Sequence, residues 1–518
     1  MRWLIILWLC LFAGNLSAQG YYQKSVDAYR AMKYDSAFLY IETAVNYYRT
    51  QRMTDSLVLT YIQKADMVWS QKGIPSALAA IDSAIILARQ LPFKDPLHVA
   101  AFNKKGQILV HNKEPEKGKK YLLQALDHVD ANAAPNGIYA ALYNNLSWFF
   151  LELQNFTPAM DYAEKAKKIN EDLYGRNARQ LLGAYQSLMS IAHDAGWFSR
   201  AEQYGLELYR LGTLNLPASH PNMGLIHNEL GILYESMYRL DEALFHKQQM
   251  VHIIQQDYAK HKNPQLLAIA YNNMGSFYYI IGELQLSLEY YDKAKQLHEV
   301  NYGAESVGIV RPLTHLANLK SAVGKYEEAD SLYARAYTLQ QHYAATDWLN
   351  MAYVEAQYGD LFLNKKQYTK AEYFYLKALK HNKKAGITNT SIVEQTRTTL
   401  AEVYARTGRS AEAITILQNV LERYRRVHPP GNILIAGQYN KISEAFLLND
   451  RPEQSMHYSD SIFLELLQLP ALPDSGWIEK LPFSHHIIRY LQNRAAIESR
   501  LYKESGKTKH LQHLLQLA

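Results

Sequence analysis

Five asparagines recur at one regular spacing along the chain, and their amide chemistry suits recognition of a peptide backbone. They are Asn103, Asn144, Asn228, Asn272 and Asn440, and Asn145 and Asn273 lie beside two of them. An amide offers a donor and an acceptor without charge, so it can bond both the N–H and the C=O of an extended peptide. It can equally cap a neighbouring residue or bond the adjacent structural unit. Duplication of a repeat would also produce the recurrence, and both interpretations stay open.

The asparagines belong to a repeated unit whose clearest copy is the segment Tyr358–Lys380. In that segment Gly359, Phe362, Ala371, Tyr375 and Ala378 fall at offsets 0, 3, 12, 16 and 19. These offsets place two apolar stripes on two short helices separated by a polar turn. The pattern therefore predicts one helical hairpin.

Taking Gly359 as a reference position, equivalent positions occur every 40 to 44 residues in eleven units. They are Ser25, Ala65, Gly106, Ser147, Met189, Gly231, Gly275, Ala317, Gly359, Ala401 and Ser443. Twelve residues later (position +12) each unit has alanine, glycine or serine, which predicts a close crossing of the two helices. Position +19 is always apolar, and the five asparagines occupy position −3. Gly73, Gly196, Gly282, Gly324 and Gly408 lie between the helices and are expected to adopt positive φ.

This pattern resembles the tetratricopeptide repeat (TPR), in the subtype of about 42 residues found in kinesin light chains and many bacterial signalling proteins. The resemblance covers residues 19–468, about eleven repeats, and implies an all-α, right-handed solenoid of about eleven to twelve hairpins. It also implies that helix A, the first helix of each hairpin, faces a concave groove. There the asparagines would contact a bound peptide, and Trp69, Trp148, Tyr279 and Tyr29 would supply apolar anchors.

The first 18 residues have a different character from the repeats. Arg2 precedes an apolar run from Trp3 to Ala13, and Leu16, Ser17 and Ala18 form a cleavage site before Gln19. We expect a removable signal peptide and a periplasmic or secreted protein. The single cysteine, Cys10, lies inside the leader, so the mature chain would hold no thiol or disulfide. No later apolar run is long enough to predict a membrane span, which disfavours a membrane-bound sensor.

The C-terminal region, 469–518, departs from the repeat and is expected to form a degenerate repeat or a cap. Its spacing of Trp477, Tyr490, Tyr502 and Gly506 resembles the junction between TPR arrays and CHAT domains, the caspase-like proteases of bacteria. Such a protease needs a histidine and a cysteine in its catalytic domain. The resemblance implies an alternative function, the regulatory or substrate-recognition arm of a protease whose catalytic domain is absent or on another chain.

Motifs for catalysis, cofactors or metals are not found in the sequence. Gly506, Lys507 and Thr508 imitate the end of a phosphate-binding loop, but Leu501 replaces the first glycine, which favours a turn between helices. The adjacent His485 and His486 would point about 100° apart on a helix and make no metal face. The net charge of +6 comes from 55 basic and 49 acidic residues without a basic block, which gives little support for nucleic-acid binding. We therefore predict a non-enzymatic scaffold for a protein or peptide partner, without cofactor or metal; the sequence does not identify the partner.

Overall fold

The computed structural model describes residues 20–29, 33–112, 114–130, 134–261, 264–388, 390–469 and 485–517. The predicted signal peptide, residues 1–18, lies outside this part of the chain. The described residues form helices without any strand. Among them, no helix is both long enough and apolar enough to cross a bilayer.

The helices follow one another as antiparallel pairs, here called hairpins, each with a helix A and a helix B. Residues 20–29 form α1, and the helices from α2 to α12 are Tyr34–Thr50, Thr54–Lys72, Ile74–Ala88, Pro96–His111, Pro115–Asp127, Gly137–Glu152, Phe156–Tyr174, Leu181–Asp194, Phe198–Asn215, Pro221–Ser236 and Leu240–His261. Helices α13 to α24 are Pro264–Ile280, Leu284–Tyr302, Val310–Ala322, Tyr326–Tyr343, Trp348–Asn364, Tyr368–Lys384, Ser391–Arg406, Ser410–Val427, Ile433–Leu447, Pro452–Leu467, His485–Ser505 and Thr508–Leu517. The predicted all-α array of hairpins is confirmed.

The two small-residue positions hold each hairpin together. All eleven reference residues and all eleven residues at position +12 are buried. In the hairpin α21–α22, the Ser443 hydroxyl donates to the Ser455 carbonyl and the Ser455 hydroxyl donates to the Ser443 carbonyl, each at 2.8 Å. In α5–α6, a methyl group on Gly118 would lie 2.9 Å from the carbonyl oxygen of Gly106. The backbones are thus close enough that larger side chains do not fit between them.

In nine of the eleven repeats, the turn inside the hairpin has a described residue with positive φ. The five glycines predicted to have positive φ all do, with values from 78° to 83°. Seven residues after the reference position, Gln154, Tyr238, Lys366 and Asp450 take the same conformation with φ between 54° and 59°. A residue other than glycine carries a steric penalty there, because its Cβ approaches the backbone. The turn therefore imposes its geometry even where the sequence lacks glycine.

Replacing Lys366 by glycine is expected to increase stability. Lys366 is exposed and has φ 57°, so glycine would relieve the left-handed strain without removing a buried contact. We expect a gain of about 0.5–1 kcal/mol in the free energy of unfolding, measured by chemical denaturation. Gly408→Ala, at the matching turn of the next hairpin, is the control and should lower stability by a similar amount. A loss of stability in Lys366→Gly would contradict this explanation of the turn.

The chain divides into two compact units. Unit 1 comprises residues 1–150 and 157–187, and unit 2 comprises residues 151–156 and 188–518. In unit 2, successive A helices touch one another from α13 through α15, α17, α19 and α21 to α23, while contacts between successive B helices are sparser. This difference places the A helices on the inner side of the local curve. We call this surface of unit 2, from α13 to α23, the inner face.

Unit 2 also contains a contact between residues far apart in sequence. The connection before α21 brings Asn432 to the turn before α10, where its Nδ2 donates to the carbonyl of Ala195 at 3.4 Å. In the same connection, the buried His428 packs against Phe156 with ring centroids 5.6 Å apart. Burial lowers the pKa of His428, so the ring is neutral at pH 7 and packs as an aromatic group. This contact ties together hairpins that do not follow one another in the sequence.

The C-terminal hairpin is formed by α23 and α24. Buried Glu498 lies 2.5 Å from His510 Nδ1 and 2.9 Å from His513 Nδ1, which joins the two helices. Gly506 has φ 66° and lies in the turn between them, as predicted. Trp477, which the resemblance to a CHAT junction requires, lies outside the described residues. The side chains of His485 and His486 are likewise not described.

Candidate functional site

The asparagines at position −3 lie where one hairpin meets the next. Asn103 is only 6% exposed, and its Oδ1 accepts a hydrogen bond from Asn145 Nδ2 at 2.9 Å. Asn228 Oδ1 accepts in the same way from Asn273 Nδ2 at 2.8 Å. In both pairs the donor is at position −2 of the following hairpin. The predicted residues are therefore brought together as two pairs, each linking two repeats.

The other three asparagines have different surroundings. Asn144 Oδ1 accepts from the Ser187 hydroxyl at 2.8 Å, again from position −2 of the next hairpin. Buried Asn440 accepts from Asn493 at 2.9 Å and donates to Glu444 at 2.8 Å. Asn272 Oδ1 is buried and has no hydrogen-bond partner among the residues that the structure describes. The geometry favours pairing between hairpins for four of the five, and a direct contact of any of them with a peptide stays a prediction.

The predicted aromatic anchors differ in exposure. Tyr279 is 39% exposed on α13, while Trp69 and Trp148 are half-buried. Tyr29 is also half-buried and packs edge-to-face against Tyr34 with centroids 5.6 Å apart. Of these four rings, Tyr279 has the most surface available to a ligand.

Replacing Asn103 by alanine tests the pairing role. The substitution leaves the Asn145 amide without its acceptor in a half-buried place, and we expect a loss of about 1 kcal/mol in the free energy of unfolding. The double variant Asn103→Ala/Asn145→Ala removes both partners and should lose less than the sum of the two single changes. Additive losses measured by urea denaturation would contradict a direct interaction.

A second polar pattern links successive A helices on their groove side. The residue after the reference position (position +1) pairs with position −2 of the next hairpin. Asp66 lies 2.9 Å from Lys104 Nζ in unit 1, and Glu402 lies 2.8 Å from Lys441 Nζ in unit 2. On α15 the residue at position +1 is the neutral Asn318, and its Nδ2 donates to Gln357 Oε1 at 2.7 Å. These residues were not predicted from the sequence, although the same reference position locates them.

Charges become denser on the inner face toward its C-terminal end. Glu402 also accepts from Arg406 at 2.9 Å, and Glu444 lies 3.2 Å from Arg489. Burial raises the pKa of Glu402, but Lys441 and Arg406 outweigh burial and lower it overall. Glu402 is thus ionised at neutral pH, and both carboxylates lie beside cations of the protein itself.

A small cavity of about 200 Å³ opens beside this charged network. Its charged lining consists of Glu402, Arg406, Lys441 and Glu444, and its other lining residues include Ala405 and Leu448. Pockets for small molecules and cofactors usually enclose about 300–1,000 Å³. The size and the mixed lining suit a single amino-acid side chain better than a cofactor.

Asp360, at position +1 on α17, has another set of partners. Its Oδ1 accepts from the Tyr375 hydroxyl at 2.6 Å, and its Oδ2 accepts from Gln357 Nε2 at 3.1 Å. Burial raises the pKa of Asp360 to about 6, Tyr375 lowers it in part, and the charge of Glu402 raises it further. Position −2 of the next hairpin is Thr399, which carries no charge.

Aromatic side chains occupy the inner face on the other side of Asp360. His315 stacks on Tyr291 with ring centroids 4.8 Å apart, and the Arg311 guanidinium lies 5.3 Å from the centroid of Tyr353. Burial, with a smaller effect of Arg311, lowers the pKa of His315 to about 4. The imidazole is therefore neutral at pH 7. This part of the inner face combines flat rings with one cation.

Comparisons with known proteins agree with the repeat pattern. Two family models, both described as tetratricopeptide repeat, match residues 266–342 and 308–384, and residues 140–177 and 394–433. No curated protein matches the chain.

Solved structures similar to the chain include repeat proteins. A putative kinesin light chain repeat structure from Podosopora anserina is 14% identical, with a TM-score of 0.35, covering 40% of this chain and 96% of that chain. BtubC (BKLC) from P. vanneervenii is 19% identical, with a TM-score of 0.34, covering 45% and 89%. A Rap protein complexed with competence and sporulation factor is 13% identical, with a TM-score of 0.48, covering 71% and 98%.

Proposed function

Because the chain is built from tetratricopeptide repeats, which serve as scaffolds for protein–protein interaction, we propose that it binds a peptide segment of a partner protein along the inner face of unit 2. The observation that carries the proposal is the continuous row of polar side chains on successive A helices, from Arg311 to Arg489. These groups lie beside exposed Tyr279, stacked rings and a cavity of side-chain size. An extended peptide would meet donors and acceptors at the spacing of the repeats and place one side chain in the cavity.

The arrangement favours binding over catalysis. The charged side chains of the inner face are largely paired with one another, as in Glu402 with Lys441 and Glu444 with Arg489. Paired ions position and select a ligand through complementary charge. A nucleophile held by a general base is not found on this face among the described residues. We therefore assign recognition, not chemical conversion, to the inner face.

Filling the cavity tests the proposal. Ala405→Phe would place a ring in the cavity lined by Glu402 and Lys441, so the bound side chain would be displaced. Residues 19–518 of the wild type and of the variant would be used for affinity capture from an envelope extract, followed by direct titration with each purified candidate partner. We expect the variant to bind the partner at least about tenfold more weakly than the wild type does. Ala411→Leu, an exposed change on α20, is the matched control. Equal binding by all three proteins would refute binding at this face.

We also propose that the protein is exported. The proposal rests on Arg2, the apolar run from Trp3 to Ala13 and the small residues before Gln19. The test is mass spectrometry of the N-terminus of the protein isolated from its native cells. We expect Gln19 as the first residue; a mature chain that retains residues 1–18 would refute a removable leader.

The alternative, an arm of a CHAT-type protease, rests on the spacing in the C-terminal region alone. Its direct test is the reading frame immediately downstream of Ala518. A frame for an α/β domain with a histidine and cysteine pair would favour the protease arm, and an unrelated frame would favour an independent scaffold.

A further inference from the structure

Four carboxylates occupy position +1 of their hairpins, and Asp360 differs from the other three. Asp66 is paired with Lys104 at 2.9 Å, Glu402 with Lys441 at 2.8 Å, and Glu444 with Arg489 at 3.2 Å. In each case the cation comes from the next helix A. Asp360 has no lysine, arginine or histidine within ion-pair distance among the described residues, because Thr399 stands where Lys104 and Lys441 stand in the other hairpins.

The hydrogen bonds of Asp360 occupy both of its oxygens but do not neutralise its charge. The tyrosine at position +16, Tyr375, donates to Oδ1 of Asp360, and the equivalent Tyr333 donates to the neutral amide of Asn318. Gln357 donates to Oδ2, an acceptor that asparagine would replace with an NH2 donor. Asparagine would therefore lose this one hydrogen bond, about 1 kcal/mol, but would avoid placing a charge without a cation in a half-buried groove.

We propose that Asp360 binds a lysine or arginine side chain of the peptide held on the inner face. The ligand's cation would occupy the place that Lys441 and Lys104 fill beside Glu402 and Asp66. Glu402, the nearest acidic group on α19, adds negative potential at the same place. Tyr353, Tyr375 and Gln357 supply flat and polar surface around the cation. This inference rests on the proposed peptide-binding function and adds the chemical class of one ligand residue.

Two variants separate the charge of Asp360 from its structural role. Asp360→Asn keeps the acceptor for Tyr375, as Asn318 does for Tyr333. Thr399→Lys supplies an internal cation from the position that Lys104 occupies beside Asp66. Both variants should keep the helical fold, which circular dichroism at the temperature of the binding measurement will show. Both should lose the preference for a cationic ligand.

The probe is an array of peptides of varied sequence in which every lysine or arginine peptide has a matched glutamine version. We expect the wild type, residues 19–518, to prefer the cationic version about tenfold or more, and both variants to bind the two versions alike. As a control, Glu327→Gln changes an exposed carboxylate on helix B α16 and should leave the preference unchanged.

The pH dependence of binding gives a second measurement. The groups around Asp360 are Tyr353 on α17, Tyr333 and Tyr375 on α16 and α18, and Glu402 on α19; Asn318 on α15 is neutral. The tyrosines stay protonated and Glu402 stays ionised between pH 5 and 8. Binding of the best cationic peptide should therefore weaken from pH 7 to pH 5 in the wild type and stay level in Asp360→Asn.

The outcomes distinguish this inference from the proposed function. Peptide binding without preference for lysine or arginine, or a preference retained in Asp360→Asn, overturns the assignment of Asp360 and leaves peptide binding standing. No binding of any peptide by the wild type overturns both. Loss of the preference in both variants, with the folded structure retained, supports the assignment.

Discussion

Ala371→Leu lowers the melting temperature, because the leucine side chain has no space where α18 crosses α17. Ala371 is fully buried and belongs to the +12 column, in which all eleven residues are alanine, glycine or serine. Overpacking a close helix crossing typically costs about 1–3 kcal/mol. We place this change toward the upper end of that range, because backbone and not only side chains would have to move. Differential scanning calorimetry will measure the shift.

The matched control for this prediction is Ala411→Leu on the neighbouring helix B. Ala411 is exposed, so the same added atoms extend into solvent and the melt should not change measurably. An unchanged melt for Ala371→Leu would contradict the close crossing. Since units of a repeat array contact mainly their neighbours, the loss should be concentrated in α17, α18 and the adjacent hairpins. Hydrogen exchange will locate it.

The hairpins could be predicted from the sequence because the residue types at single positions determine their geometry. Ala371 at +12 is small because two backbones meet there, and Gly408 lies in the turn because that turn needs positive φ. These requirements are local, so each recurs in every repeat and can be read along one chain. Lys366 shows the limit of such predictions, because a lysine adopts positive φ there and its residue type gives no indication of that conformation.

The candidate site was harder to predict because it depends on pairs of residues about 40 positions apart. Asn103 at position −3 was expected to face a ligand, yet its Oδ1 accepts from Asn145 of the next hairpin. Position −3 lies one helical turn before position +1, and Asn440 donates to Glu444 at 2.8 Å, so the offsets within one repeat do not distinguish a ligand-facing asparagine from one that bonds the next hairpin. The pairing of Glu402 with Lys441 follows from how two A helices pack, which the offsets within one repeat do not contain.

The same pairs connect the stability of the array to ligand recognition. Where position −2 supplies lysine, as at Lys104 and Lys441, the carboxylate at +1 is neutralised and the contact strengthens the junction between repeats. Where position −2 is threonine, as at Thr399, the described residues supply no cation to neutralise the carboxylate at +1, Asp360. In the proposed binding mode, position −2 therefore determines whether the protein or a partner supplies the cation at a repeat junction.

Asp360→Asn is expected to become more stable relative to the wild type as the pH rises from 5 to 8. The folded-state pKa of Asp360 is raised to about 6 from its ordinary value of 3.8. A carboxyl with a raised pKa contributes most to stability when it is protonated, and this contribution is lost as the pH rises from about 4 through 6. Above pH 6 the wild type carries an unpaired, half-buried charge, and asparagine does not.

Between pH 5 and pH 8 the variant is expected to gain about 1–2 kcal/mol relative to the wild type, because solvent in the groove screens part of the full effect of the pKa shift. Urea denaturation of both proteins at pH 5 and pH 8 will measure it, and the comparison between the two cancels the titration of all other groups. Glu402→Gln should respond in the opposite direction, losing stability at pH 8, because Lys441 and Arg406 hold the pKa of Glu402 low. If the stability of Asp360→Asn relative to the wild type does not rise between pH 5 and pH 8, the charge of Asp360 is neutralised within the protein and no ligand is needed to neutralise it.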